Sequence, residues 1–326
     1  MSENPILAIV GPTAVGKTSV AIAVAKKING EIIGLDSRQI YKGMSIGTAQ
    51  PTLEEVNSIP HHLISIREPN ETVSAGEYAD LVKDIVGEIQ NKEKEPILCG
   101  GAGLYLDALT LGIFKESKTN PDIRVRLSRE YDEAPDVMLK KLKDIDPDYA
   151  EKVHINNKKR LIRALEIVEI TGKIPTEHFK EQASNQPFLS AGRQAGRHSI
   201  FTVLLSMERQ LLINRIRERT KSMLENGWIE ETKVLRENYS VEKAHSLDSI
   251  GYRQICQYLD GEYSIEELEE EIVIRTRQFA KRQYTWFRNR GNPVEIDMDG
   301  KYEERAELIP MSATSLERRR VRSVGF

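Results

Sequence analysis

The segment Gly11–Pro12–Thr13–Ala14–Val15–Gly16–Lys17–Thr18 fits GxxxxGK[ST] in full, directly after an apolar run and directly before a helical one. Glycines let successive backbone N–H groups curl around phosphate oxygens. The N-terminus of the following helix adds partial positive charge, Lys17 neutralises outer phosphates, and Thr18 can hold Mg²⁺. Composition alone yields such a match on the order of a per cent of the time in a chain this long, and the strand–loop–helix context lowers that further. The segment is a phosphate cradle. Its pattern leaves the chemistry open, because the same cradle holds a transferable phosphoryl group or a departing pyrophosphate.

The second chemical residue is Asp36, which closes the apolar run EIIGLD and precedes Ser37. At the carboxyl end of a strand beside the cradle, a side chain faces the phosphate site. Asp36 there is a general base for an acceptor or a ligand of Mg²⁺-bound water; the bland alternative is a carboxylate that caps the next loop. No other apolar strand ends in an acid on this reading, since PILC runs into Gly100–Gly101 and IFTVLL into Ser206.

A third group of residues suits a polyanion. Arg275–Arg290 reads RTRQFAKRQYTWFRNR, with cations at Arg275, Arg277, Lys281, Arg282, Arg288 and Arg290, interleaved aromatics and no acid. On a helix, Ile272, Arg275, Phe279, Arg282 and Trp286 fall near one stripe, and Arg277, Lys281, Tyr284 and Arg288 on another. Phosphates attract the cations and splayed RNA bases stack on aromatics; a solvated cationic face over an aromatic core stripe would look the same. Lys158–Lys159–Arg160 with Arg163 forms a second basic cluster. His61 and His62 are adjacent, so on a strand they point to opposite faces and cannot share a metal. Trp228 reads as ordinary packing.

The elements that must position these residues alternate. Pro5–Val10, Glu31–Leu35 and Pro96–Cys99 are apolar runs of the kind buried on both faces of a sheet, and His62–Ile66 reads as a further short strand. Between them Ser19–Ile28, Glu77–Lys94 and Leu104–Leu111 carry helical periodicity. This predicts an α/β fold, a doubly wound, mainly parallel P-loop sheet. From Glu116 to Arg197 no strand is predicted; helices are expected at Asp122–Asp132, Val137–Ile145 and Asn157–Thr171, and Asn185–His198 reads as a linker. Ile200–Leu205 returns to the sheet, followed by helices at Glu208–Asn226, Ile229–Glu237 and Glu266–Arg290 and a short strand at Val294–Ile296. The expected organisation is a core of residues 1–115 and 199–311, a helical insertion at 116–198, and a frayed polar tail at 312–326.

Composition sets the outer bounds. The chain has 326 residues and a formal net charge of −3, so any nucleic-acid surface must be local. Its two cysteines, Cys99 and Cys256, form no CxxC or Cys/His cluster and read as free thiols of a reducing compartment. No apolar run reaches membrane-spanning length, and the N-terminus reads as a first strand without a signal peptide. The expectation is a soluble cytoplasmic monomer.

Taken together, GPTAVGKT at 11–18, LDSRQIYKGMSIGTAQPT at 35–52, GGAGLY at 100–105, KRLIRALEI at 159–167, SIGYRQ at 249–254 and RTRQFAKRQYTWFR at 275–288 resemble the bacterial tRNA dimethylallyltransferases, or tRNA isopentenyltransferases. The resemblance implies transfer of the dimethylallyl group from dimethylallyl diphosphate to N6 of the adenine 3′ of the anticodon, with Mg²⁺ and an insertion gripping the anticodon stem-loop. By motif, Gly11 to Thr18 would hold the diphosphate with help from Arg215 and Arg219, and Asp36 would be the base. The residues implied at tRNA are Asp36, Ser37, Arg38, Gln39, Ala102, Arg124, Lys159, Arg160, Leu161, Ile162, Arg163, Asp248, Ser249, Ile250, Gly251, Tyr252, Arg253 and Arg282. Ala102 departs from the threonine usual in GGTGLY, which puts a hydroxyl contact in doubt. The residues alone leave a rival: a small-metabolite kinase with Asp36 activating a hydroxyl.

Overall fold

A computed structural model describes residues 5–111, 120–184, 189–190, 198–239, 244–299 and 302–309. The expected tail, the boundary near Glu116 and most of the Asn185–His198 linker lie outside the described residues. In chain order, β1 (Ile6–Val10), α1 (Lys17–Ile28), β2 (Gly30–Leu35), α2 (Leu53–Ser58), β3 (His61–His62), α3 (Ala75–Asn91), β4 (Glu95–Gly100) and α4 (Gly103–Leu111) alternate. Helices follow as α5 (Pro121–Glu133), α6 (Pro135–Ile145), α7 (Pro147–Ala150), α8 (Lys158–Thr171) and α9 (Pro175–Ser184). The chain then forms β5 (Leu189–Ser190), β6 (His198–Ser206), α10 (Arg209–Glu225), α11 (Trp228–Asn238), a 3₁₀ turn at His245–Asp248, α12 (Tyr252–Leu259), α13 (Ile265–Arg288), β7 (Val294–Asp297) and α14 (Tyr302–Glu307). It divides into two compact units, one of Met1–Leu106 with Leu189–Phe326, the other of Asp107–Phe188.

In the first unit the sheet runs β3-β2-β4-β1-β6, with β5 and β7 both on β6, and every described pairing is parallel. The glycine-rich loop therefore leaves the centre of the sheet, and Asp36 leaves β2 two strands away. Alternate residues Leu7, Ile9, Ile97, Cys99 and Val203 pack on Val20, Val24 and Ala25 of α1. Ala8, Val10, Ile33, Leu35 and Leu98 alternate with them and are also fully buried, which is why these strands read as continuous apolar runs. From α3, the buried Tyr78 donates its hydroxyl to the Gly34 carbonyl at 3.0 Å and stacks on Tyr105.

Several predicted elements differ from the structure for local reasons. Strand β3 stops at His62, because Leu63 (φ 62°) and Ser65 (φ 53°) are left-handed. The Ser65 and Ile66 N–H groups bond instead to the carbonyls of Gln39 and Ile40. Leu189–Ser190, predicted as linker, pairs with His198–Ser199. Strand β7 does end in an acid, Asp297, which is exposed and accepts the Asp299 N–H, so Asp36 is not alone in closing an apolar strand. Helices α2, α7, α9 and α12 were not predicted, being short and, at α7 and α9, opened by prolines that read as loop signals. On α13 the buried stripe is Leu268, Ile272, Val273, Ala280, Gln283 and Phe287. Phe279 is 38% exposed and Trp286 half-buried, so of the two readings of this segment an aromatic core stripe does not hold at these two positions, while Phe287 is buried.

The second unit packs Leu127 of α5, Met138 and Leu142 of α6, and Leu161 and Leu165 of α8 into one apolar cluster. Three of its helix starts are pinned by side chains: Asn120 caps α5, Asn157 caps α8, and the buried Asp146 caps α7 while accepting both the Thr176 N–H and hydroxyl of α9.

Two glycines of the first unit separate constraint from convenience. A Cβ on Gly100 would stand 2.0 Å from the Leu35 carbonyl oxygen, while one on Gly87, exposed within α3, meets nothing within 4 Å. Gly100→Ala should cost about 3 kcal/mol or more, through strand displacement. Gly87→Ala should stabilise by about 0.5–1 kcal/mol from helix propensity. Denaturant midpoints of the two variants check this; equal effects would mean that β2 and β4 tolerate separation.

Candidate active site

The loop after β1 closes on left-handed residues Ala14 (φ 66°) and Gly16 (φ 101°), and a Cβ on Gly11 would meet the Leu205 carbonyl of β6 at 2.6 Å. Lys17 opens α1, so the loop sits at a helix N-terminus. A cleft of about 490 Å³ lies over it, lined by Thr13 to Ser19 except Val15, by Asp36 and Gln39, by Thr48 and Ala49, and by Arg215, Glu218 and Arg219 of α10. The structure thus brings the cradle, Asp36 and both α10 arginines together.

The cationic groups in this cleft are poorly solvated. The Lys17 ammonium donates to the Pro12 carbonyl at 2.8 Å, and its enclosure pulls its pKa down to about 8, against the opposing pull of Cys99 and Asp36. Burial likewise lowers Arg219, which reaches the Thr13 hydroxyl at 3.4 Å, with the Asp36 charge opposing. Burial pushes the neighbouring Cys99 thiol up to about 12, so it stays neutral. Cys99 and Cys256 are both free, as expected. A site that carries cations at such cost is adapted to an anion that restores their charge.

Asp36 is held on one side only. Its Oδ1 accepts the backbone N–H of Arg38 at 2.8 Å and of Gln39 at 3.3 Å, while Oδ2 takes no hydrogen bond from the described residues. Gln39 donates its amide to the carbonyls of Thr48 and Ala49, fixing the cleft's far wall. Arg38 contacts His245 through its guanidinium. Ala102 carries no hydroxyl; its N–H and that of Gly101 both donate to the Leu35 carbonyl at 3.0 Å, and its own carbonyl begins α4.

Two residues that hold the site were missed from sequence. Gln283 of α13 accepts the Thr13 N–H at 2.8 Å and donates to the Gly101 carbonyl at 3.0 Å, so one amide ties the cradle to the glycine turn. The Thr13 N–H is therefore spent on protein. Glu231 accepts from Ser45, Ile46 and Gly47 and from the Tyr252 hydroxyl at 2.6 Å, anchoring the loop that carries Thr48 and Ala49. A polar residue inside the buried period of α13 was the available signal for Gln283; Glu231 had none.

The remaining predicted residues fall into two groups. In the first unit, Asp248 pairs with Arg253, Gly251 (φ 90°) lets Trp228 approach, and Tyr252 is fully buried, so its side chain is core. Trp228 packs in the core, as expected, in a slot walled by Gly47 and Gly251. Arg282 is exposed with its guanidinium 5.9 Å from the Phe279 ring, and Arg290 lies 4.7 Å over Trp286. In the second unit, Lys159 and Arg160 are exposed, Leu161 and Ile162 are buried core, and Arg124 and Arg163 both reach the carboxylate of Glu166. His62 pairs with Glu31 at 2.8 Å, and no cluster of three metal-ligating side chains occurs among the described residues.

The IPP transferase family model matches residues 39–290. The chain belongs to that family. It is 38% identical over 316 residues to the tRNA dimethylallyltransferase of Bacillus velezensis, covering 94% of this chain and 97% of that protein. The tRNA dimethylallyltransferase of Acetivibrio thermocellus is 40% identical over 296 residues, covering 90% and 92%. Among solved structures, the full-length tRNA isopentenylpyrophosphate transferase of Bacillus halodurans is similar at 36% identity and TM-score 0.68, covering 98% of this chain and 99% of that one. A eukaryotic dimethylallyltransferase acting on tRNA is similar at 30% identity and TM-score 0.73, covering 90% and 73%. The resemblance read from the motifs is borne out, and the kinase is not favoured. No described helix is long and apolar enough to cross a membrane.

The Lys17 environment has a measurable consequence. Below about pH 8 the ammonium is charged and above it neutral, so anion binding should weaken as pH rises through that value. Sulfate, whose own charge is constant over pH 7 to 9.5, should lose about tenfold in affinity across that window and take up protons on binding near its middle. Calorimetry in buffers of different ionisation enthalpy reads both; a flat affinity with no proton uptake would place Lys17 at its ordinary pKa.

Proposed function

We propose that this chain transfers the dimethylallyl group of dimethylallyl diphosphate to N6 of the adenine immediately 3′ of the anticodon in tRNA, releasing pyrophosphate. The observation that carries the reading is the single cleft in which buried Lys17 and Arg219 face the same space as Asp36. Backbone N–H groups of the cradle, Lys17, Arg215 and Arg219 hold the diphosphate and stabilise the negative charge that grows on it as the C1–O bond breaks. The adenine N6 attacks C1, and the proton it sheds passes to Asp36, whose Oδ2 takes no hydrogen bond among the described residues while Oδ1 is fixed by two backbone N–H groups.

Mg²⁺ suits the same cleft. Thr18 and Asp36 are hard oxygen donors lining one space, and they would hold the ion together with diphosphate oxygens and water. When bound it would neutralise phosphate charge. The acceptor is tRNA, with Arg38, Gln39 and the Asp248–Arg253 segment in the first unit and Arg124, Lys159, Arg160 and Arg163 in the second as contacts. Leu161, Ile162 and Tyr252 support them from the core. An unstacked anticodon loop lowers the cost of bringing a base to Asp36.

Incubation with radiolabelled dimethylallyl diphosphate and bulk unmodified tRNA tests the transfer directly. Asp36→Asn preserves shape and the contacts to Arg38 and Gln39 but cannot take the proton. Single-turnover transfer should fall at least about a hundredfold, with diphosphate and tRNA affinities changed little. Near-normal chemistry with loss of Mg²⁺-dependent diphosphate binding would instead make Asp36 a metal-site residue.

A further inference from the structure

Within the second unit, one carboxylate has an environment that helix packing does not require. Glu166 of α8 is fully buried, facing α5. Its Oε1 accepts the Asn120 N–H at 3.0 Å and Arg124 Nε at 3.0 Å; its Oε2 accepts Arg124 Nε at 3.0 Å and Arg163 Nη1 at 2.6 Å. Between the two helices the buried packing is through Leu127, Leu161 and Leu165, with the Arg126–Glu169 and Lys158–Asp132 pairs on the exposed side. Replacing a buried ionic cluster by apolar side chains is often neutral or stabilising, so stability alone is a weak reason for a glutamate here.

What the carboxylate does is fix two guanidiniums. Arg124 and Arg163 come from different helices, and their side chains remain 46% and 29% exposed while the acid between them is sealed off. Glu166 engages Arg124 through Nε alone, so these two bonds leave the terminal nitrogens of that guanidinium unspent on the carboxylate. The neighbouring Arg126 pairs with Glu130 and Glu169 and does not compete for Glu166. A planar guanidinium held in one orientation loses little freedom when it meets phosphate oxygens, which suits bidentate recognition.

We propose that Glu166 is a positioning residue for RNA: it presents Arg124 and Arg163 to the tRNA backbone without touching the nucleic acid. This rests on the reading of the chain as a tRNA-binding transferase. It makes a prediction opposite in sign to simple charge. Removing a buried negative charge beside a polyanion site should, by Coulomb attraction alone, tighten RNA binding. Removing a positioning group should loosen it.

Glu166→Gln separates the two, since the amide can still accept the Asn120 N–H but turns an N–H₂ toward a guanidinium. Binding of an unmodified tRNA transcript, measured below the melting transition of each variant, should weaken about tenfold. In an Arg124→Ala background the same substitution should cost much less, because part of its effect runs through Arg124. A purely structural role would lower the melting temperature and leave the affinity of the folded protein unchanged, which would overturn the proposal. So would unchanged or tighter tRNA binding by Glu166→Gln while Arg124→Ala binds weakly; the RNA reading would then stand alone. Should neither Arg124→Ala nor Arg163→Ala alter tRNA affinity, the surface is not an RNA contact and the proposal fails with that reading. If Glu166→Gln does not fold, Glu166→Asp carries the test: it keeps the charge and shortens the arm, so wild-type affinity in that variant would overturn the positioning role.

Discussion

The carbonyl oxygen of Leu35 is where the site is held together. It ends β2, accepts the N–H groups of both Gly101 and Ala102, and lies so close to Gly100 that any Cβ there would collide with it. The next residue is Asp36. The strand end, the glycine turn and the acidic side chain are therefore fixed by one peptide group, and Gln283 extends that fixation from the glycine turn to Thr13 of the cradle. The adjacent glycines serve close approach: Gly100 admits the Leu35 carbonyl, and Gly101 admits the Gln283 amide, 2.1 Å from where a Cβ would stand. The general base proposed at Asp36 would gain most from such rigidity, because its rate contribution depends on reach and angle more than on strength.

Rigidity in the cleft is combined with electrostatic incompleteness. Lys17 is driven toward neutrality and Arg219 is desolvated, each short of the counter-charge that its burial demands. In the proposed reaction a diphosphate supplies that charge, and more of it as the leaving-group bond breaks. The interaction therefore grows along the reaction coordinate, which accelerates the chemical step where equal binding of substrate and transition state would not. Cys99 sits against Lys17 as a neutral thiol, so it occupies space at the floor of the cleft without offering a competing anion.

Much of this was legible in the sequence, and the misses follow one physical pattern. The strands β1, β2 and β4 were readable because burial on both faces demands unbroken apolar runs, and GxxxxGKT because a phosphate nest needs its glycines at fixed places. Asp36 was readable from its place at a strand end. What stayed hidden depends on which side chains meet across long sequence distances: Gln283 with Thr13, Glu231 with Gly47, Glu166 with Arg124. Periodicity left the aromatic residues of α13 either inside as core or outside as a stacking surface, and did not mark Gln283 as buried. The helix buries Ala280 and Gln283 near the cradle's supports and turns Phe279 outward. Hydrophobicity alone could not decide that, since an aromatic ring serves a core and a stacking surface equally well.

The same three hidden residues share a chemical logic. Each is a buried or half-buried acceptor that spends its hydrogen bonds on a group close to the chemistry or to the basic surface, and none lines the cleft over the cradle. Gln283 is neutral where it meets backbone amide and carbonyl together, so a carboxylate there would repel the Gly101 oxygen. Glu231 is charged where it meets three donors of one loop and a tyrosine hydroxyl, with no acceptor to offend. Glu166 is charged where two guanidiniums converge. Amide against mixed partners and carboxylate against donors alone is the choice that satisfaction of buried polar groups dictates. The support beneath this site is thus specified as tightly as the residues that face its substrates.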